Sequence, residues 1–228
     1  MDNFSDRFKE LGQEFKVVFA GRGNIVDAFI PPIIFLILNA ILGFDLALWG
    51  SLISALFFGV FRLLKHQPLR YALGGVGGIL LAVLIAKVLG RAEGFFVPGL
   101  ISGGVTVALC LVTVMIKRPL VAWTSFLARR WPLEWYWHDQ VRPAYSEVTF
   151  VWGLFFGLRL LFQYQLFQQQ ATQLLGLTQL ITGWPATMVL LVASYIYGIW
   201  RLQNLSGPSV DEFKTGSPPP WEGQKRGF

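Results

Sequence analysis

The stretch Arg142–Gln168, RPAYSEVTFVWGLFFGLRLLFQYQLFQ, decides the fold. From Val148 to Phe162 it is almost unbroken apolar sequence, too poor in polar residues for a surface helix of a soluble domain, and it reads as a membrane span. Arg159 sits well inside it, one turn before a run of glutamines. An arginine near the centre of a spanning helix costs about 2.5–3.5 kcal/mol on insertion scales, so it must find a protein interior, a wet cavity or an anion. Three readings stay open: a functional polar site, an interhelical ion pair, or a side chain that snorkels to the headgroups beside Gln163 and Gln165.

Outward from this segment the composition agrees. Of 228 residues, 54% are apolar, 15% aromatic and only 14% charged, and the mean hydropathy is +0.53. That is not an ordinary soluble domain. A net charge of +6 would point to nucleic acid in a soluble protein. Here the basic residues flank apolar runs, which fits a membrane instead, so no nucleic-acid partner is expected. Cys110 is the only cysteine and lies mid-span, as a packing residue.

The spacing predicts an all-α polytopic membrane protein in three parts. Residues 1–21 place Phe4, Phe8, Leu11, Phe15 and Val18 at helical spacing among charges, which predicts an amphipathic N-terminal helix. Residues 22–203 hold about six transmembrane helices: Ile25–Phe44, Leu46–Leu64, Arg70–Leu89, Gly99–Ile116, the opening stretch, and Thr182–Arg201. Pro31-Pro32 should kink or loosen the first. Gly74, Gly75, Gly77 and Gly78 in the third, and Gly99, Ser102, Gly103 and Gly104 in the fourth, offer small faces for close helix approach. Phe95 and Phe96 in the outer connection should dip back toward the membrane beside Glu93. Gln168–Leu180 reads as a short polar surface helix. Residues 204–228, rich in Gly, Pro and charge, read as a flexible cytoplasmic tail unless a partner holds them.

The longest connection, Leu120–Glu147, interleaves tryptophan with arginine. Leu120, Trp123, Phe126 and Leu127 share a helical face, which predicts a cytoplasmic interfacial helix; Arg118, Arg129, Arg130, Trp131, Trp135 and Arg142 form its interfacial candidates, with the aromatics as a membrane-interface belt. Basic residues set the orientation. Sixteen (Arg7, Lys9, Lys16, Arg22, Arg62, Lys65, Arg70, Lys117, Arg118, Arg129, Arg130, Arg142, Arg201, Lys214, Lys225, Arg226) fall on one side, and only Lys87 and Arg91 on the other. Both termini are therefore expected in the cytoplasm, in a bacterial plasma membrane.

No chemistry-bearing constellation is legible. His66 and His138 fall in connections, no His, Cys or carboxylate cluster has metal spacing, and no Ser-His-Asp arrangement is readable, so no catalytic residue, cofactor or metal is expected. Asp139 beside His138 reads as a dyad in a solvated turn. The intramembrane polar candidates are Arg159, Glu93, Asp45 and Asp27. At about 1.5 Å per residue from Glu147, Arg159 lies about 15–18 Å deep, past the midplane, and Glu93 is its preferred partner.

Arg22-Gly23 with Asp27 and Pro31, Phe95-Phe96-Val97-Pro98-Gly99, Arg118-Pro119-Leu120, Arg142 with Tyr145, Thr149, Trp152 and Arg159, and Gly183-Trp184-Pro185 occur in this order. Together they resemble the bacterial membrane-protein family of domain of unknown function 3159, over roughly Gly21 to Arg201. The resemblance implies a multi-helix integral membrane protein and supplies no catalytic residues. Two function classes follow: a structural, accessory or assembly subunit of a larger membrane complex, partnered by lipid and by other subunits or itself, or a small-solute or ion transporter or channel component with a polar site around Arg159.

Overall fold

The computed structural model describes residues 25–66 and 68–228; the amphipathic helix expected over 1–21 and the side chain of Asp27 lie outside the described residues. Among the described residues all regular structure is helical: α1 (Ile25–Ile41), α2 (Phe44–Leu64), α3 (Leu69–Leu89), a 3-10 turn (Ala92–Phe96), α4 (Val97–Met115), α5 (Leu120–Arg129), α6 (Leu133–Tyr136), α7 (Arg142–Gln168), α8 (Thr172–Thr182), α9 (Trp184–Asn204) and α10 (Val210–Thr215). Five segments are long and apolar enough to cross a membrane: Phe44–Leu64, Ala72–Leu89, Ala92–Met115, Arg142–Gln168 and Thr172–Asn204. The remaining expected span is α1, of 17 residues. That is about 26 Å of helix, just under a hydrocarbon core of about 30 Å. The protein is an all-α, multi-pass membrane protein.

The chain divides into two compact units, Met1–Pro98 and Gly99–Phe228. In the first, α1 and α2 are joined by a two-residue turn whose Gly43 has φ 87, a left-handed conformation that glycine tolerates. Pro31 and Pro32 are accommodated inside a continuous α1. Phe35, fully buried, is the centre of this unit. Phe95 stacks on it at 4.0 Å and Phe96 meets it edge-on at 5.8 Å, so the 3-10 turn does fold back inward. Gly94 makes that fold-back possible: a Cβ there would lie 2.6 Å from the Ala86 Cα of α3, backbone against backbone.

The glycine face of α3 is a correction. Gly74, Gly77 and Gly78 have nothing within 4 Å of where a Cβ would stand, and Gly75 meets only the Arg62 Nη1 of α2, at 3.6 Å. Close approach between α2 and α3 occurs instead where Val76 overlies Gly59. A glycine run allows a contact without compelling it; the bulkier Val76 found the groove that the glycines did not supply.

In the second unit α7 touches nearly everything. Leu160 covers Gly103 and Gly104 of α4 at 3.6 and 3.8 Å, and Gly153 sits against the Cys110 Cβ at 3.3 Å. These pairs keep one antiparallel register, so the small face of α4 serves the close approach expected of it. α5 is tied to α7 by the Val121 N–H, which donates to Thr149 Oγ1 at 3.1 Å. α8 is less of a surface helix than expected: Leu175 and Gly176 are buried, and Gln179 lies over Gly99. Gly183 separates α8 from α9, because a Cβ there would strike the Gln179 carbonyl oxygen at 2.6 Å.

Candidate functional site

Two arrangements in the second unit gather its polar and aromatic side chains. The first runs along the length of α7. Near its start Glu147 takes a forked pair of hydrogen bonds from Arg201 of α9, from Nε at 2.8 Å and Nη2 at 2.8 Å, and Tyr197 Oη donates to the same carboxylate at 2.6 Å. Further along, Trp152 Nε1 donates to Ser194 Oγ at 2.8 Å. Near the far end the buried Gln163 donates through Nε2 to Thr182 Oγ1 at 3.3 Å. The bonds of Glu147 and Trp152 tie α7 to α9, and that of Gln163 ties it to the end of α8. In an apolar environment such bonds satisfy groups that lipid cannot.

Arg159 shares a face of α7 with Trp152 and Gln163. Helical periodicity places it two turns after Trp152 and one turn before Gln163. It is half-buried. Among the described residues it makes no ion pair and no hydrogen bond, although the rungs on either side are both paired. Glu93, its expected partner, is buried in the 3-10 turn of the first unit. Their pairing remains an expectation of the sequence. Asp45 is exposed in the first turn of α2, where the helix dipole favours an acid.

The second arrangement is an aromatic cap. Trp135, Tyr136 and Tyr145 are all fully buried, packed with Val121, Ala122, Val141, Ala144, Val148, Ile199, Leu202, Val210 and Phe228. The rings meet edge to face: Trp135–Tyr136 at 5.1 Å, Tyr136–Tyr145 at 5.2 Å, Trp135–Tyr145 at 6.1 Å. This is the favoured geometry for aromatic quadrupoles. Polar atoms carried in with the rings find partners: Trp135 Nε1 donates to the Pro208 carbonyl at 2.8 Å, and Tyr136 Oη shares a hydrogen bond with Ser125 Oγ at 3.1 Å. Burial pushes the Tyr136 phenol above its ordinary value, against the smaller opposing effects of Ser125 and Arg129. The Tyr145 hydroxyl is buried without a partner in hydrogen-bond geometry.

The tail read as flexible is folded into this cap. Phe228 stacks on Tyr145 at 4.3 Å with the rings 7° from parallel. It lies so close over α9 that a Cβ on Gly198 would fall 2.3 Å from its ring. Arg129 donates through Nε to the Phe228 carbonyl oxygen at 3.2 Å and stacks on Trp131. α10 is closed by a capping box, in which Ser209 Oγ accepts from the Glu212 N–H and Glu212 accepts from the Ser209 N–H. The Glu212 carboxyl is held down at about 2, chiefly by the Ser209 backbone N–H and then by that of Glu222. Composition misleads here because Val210, Phe213, Trp221 and Phe228 are scattered among Gly, Pro and charge. Val210, Phe213 and Phe228 pack into or against the cap core, and the Trp221 ring meets His138.

The same folding corrects the aromatic belt. Trp135, Tyr136 and Tyr145 are core residues, turned inward as α5 and α6 fold back on α7 and α9. His138 and Asp139 form no dyad: Asp139 pairs with Arg142 at 3.1 Å, while the His138 ring meets Trp221 edge-on at 5.4 Å. Arg118 and Arg130 stay exposed. The Glu147–Arg201–Tyr197 cluster was missed, yet its signal was legible: an acid at the start of one span and a base at the end of the other, on the same expected side.

A multi-pass helical membrane protein with an interhelical polar seam and a folded aromatic cap is the class these features define. Among the described residues no three His, Cys, Asp or Glu side chains gather as they would for a metal ion. The chain belongs to the family described as protein of unknown function (DUF3159), whose model matches residues 19–203. Neither the curated proteins nor the solved structures yield a match.

Proposed function

We propose that this chain is a non-catalytic accessory or assembly subunit of a larger complex in a bacterial plasma membrane, with both termini cytoplasmic. The observation that carries the reading is the cap. Leu120–Val148 and the distant C-terminal stretch of Ile199–Leu205 and Val210–Phe228 converge on one aromatic core, and a packed body of this kind suits docking by a partner subunit. The orientation rests on the basic residues, which favour the cytoplasmic side. Crosslinking in native membranes followed by purification in mild detergent tests this. The expected result is a stoichiometric membrane-protein partner, lost when the cap is disrupted by Trp135→Ala. Recovery of the chain alone, crosslinked to nothing, overturns it.

A second reading has its own support in Arg159, the one member of the α7 face left without a partner among the described residues. A cation so placed suits a wet path for a small anion or ion. Reconstituted vesicles then show a flux that Arg159→Leu abolishes while the fold persists. A flux unaffected by that substitution removes this reading.

A further inference from the structure

The outer face of α5 carries an uninterrupted row of cations and rings. The Arg118 guanidinium lies over Trp137 at 4.4 Å. Trp137 meets Trp123 at 5.7 Å, and Trp123 meets Phe126 edge-on at 6.2 Å. Arg130 closes the row over Phe126 at 6.0 Å. Neither Arg118 nor Arg130 makes a side-chain ion pair or hydrogen bond among the described residues, and both are exposed. The acids in the surrounding elements are turned to other work or to water: Asp139 pairs with Arg142, Glu147 with Arg201, and Glu134 is exposed on α6. Beside the row Leu127 is 61% exposed. The inner face of the same helix, Val121, Ala122 and Ser125, is already buried. Phe126 and Trp137 also lean on the cap core, whereas Arg118, Trp123, Leu127 and Arg130 stay exposed on the outer face.

We propose that this row is a binding site for anionic phospholipid headgroups. α4 ends at Met115, so Arg118 follows the end of a membrane span by three residues and stands at headgroup depth. Phosphate would lie against the guanidiniums, which sit over their rings at 4.4 and 6.0 Å and offer planar N–H donors to phosphate. The rings suit the interface itself, and Leu127 reaches toward the acyl chains. Charge and depth together select a lipid over a soluble anion or an acidic protein segment. The site stands whether or not the chain has protein partners.

The test uses the intact chain in neutral detergent, offered phosphatidylglycerol or phosphatidylcholine, with retained lipid counted by native mass spectrometry. Phosphatidylglycerol should be retained about tenfold or more over phosphatidylcholine, given two basic residues at the membrane surface. High salt should erase most of that preference, a measurement that needs no variant. Arg118→Gln with Arg130→Gln should abolish it, Lys214→Gln on α10 should leave it, and Arg118→Lys with Arg130→Lys should retain part. Equal retention of the two lipids overturns the proposal, as does a preference that survives the double glutamine variant. Displacement of the lipid by millimolar inorganic phosphate or by polyglutamate also overturns it, assigning the row to a soluble anion or an acidic protein segment.

Discussion

Trp135, Tyr136 and Tyr145 in the cap expose none of their surface, whereas Leu161 and Val189 on α7 and α9 are 63% and 70% exposed. In the spanning segments no more than 28% of the most apolar window is buried within the chain. Both regions are rich in large apolar side chains, and they meet the same demand differently. The cap covers its rings with protein, as a soluble domain does, and needs close packing to do so. The spans leave theirs to lipid, where one apolar group is as good a neighbour as another. Truncation should therefore be costly in the cap and nearly neutral on the lipid face.

The largest effect expected is at Trp135. Trp135→Ala should cost about 3–5 kcal/mol, the usual loss for a fully buried large ring, and should also free the Pro208 carbonyl. Leu161→Ala should change the thermal midpoint in detergent little. Comparable losses at the two positions would break the contrast between cap and spans.

Next comes a comparison of two glycines in the first unit. Gly94→Ala forces a Cβ to within 2.6 Å of the Ala86 backbone and should cost about 1–3 kcal/mol, as overpacking does. Gly78→Ala meets nothing within 4 Å and should leave stability unchanged or raise it slightly through helix propensity. A loss at Gly78 as large as at Gly94 would mean that the α3 stripe is covered in the working protein.

Smaller effects should appear in the tail. Ser209→Ala removes the hydroxyl half of the capping box and should cost α10 about 1 kcal/mol, read as faster amide exchange across Val210–Thr215. Acid should act on the same box. The Glu212 carboxyl lies at about 2 in the folded chain against an ordinary 4.5, so its contribution is complete above pH 4.5 and is lost as pH falls toward 2. Glu212→Gln should flatten that acid transition in Trp221 fluorescence. A transition unchanged by the substitution would show that other carboxylates dominate.

The spans were legible because hydropathy and length suffice for them: α2, α3, α4 and α7 lie close to where the apolar runs put them. The inward fold of Phe95 and Phe96 was legible too, since two adjacent rings in a connection between spans have nowhere better to go. The cap was not. Trp135 and Tyr145 carry the composition of an interfacial belt, and only the return of Phe228 and Pro208 from about eighty residues away makes them a core. Long-range pairing of that kind leaves no local period to read. The Arg159 face of α7 was half legible: the cation stood out in sequence, but Trp152 looks like an ordinary span residue and Gln163 read as a marker of the interface.

Hydrogen–deuterium exchange of the tail in the intact, detergent-solubilised chain tests the central claim most directly, that residues 205–228 are part of the cap. Amides across Val210–Gly216, including the Val210 N–H bound to Gln224 Oε1, should be protected, and Phe228→Ala should raise their exchange rates. Exchange through the whole tail at the rate of an unstructured peptide, unchanged by that substitution, would contradict it.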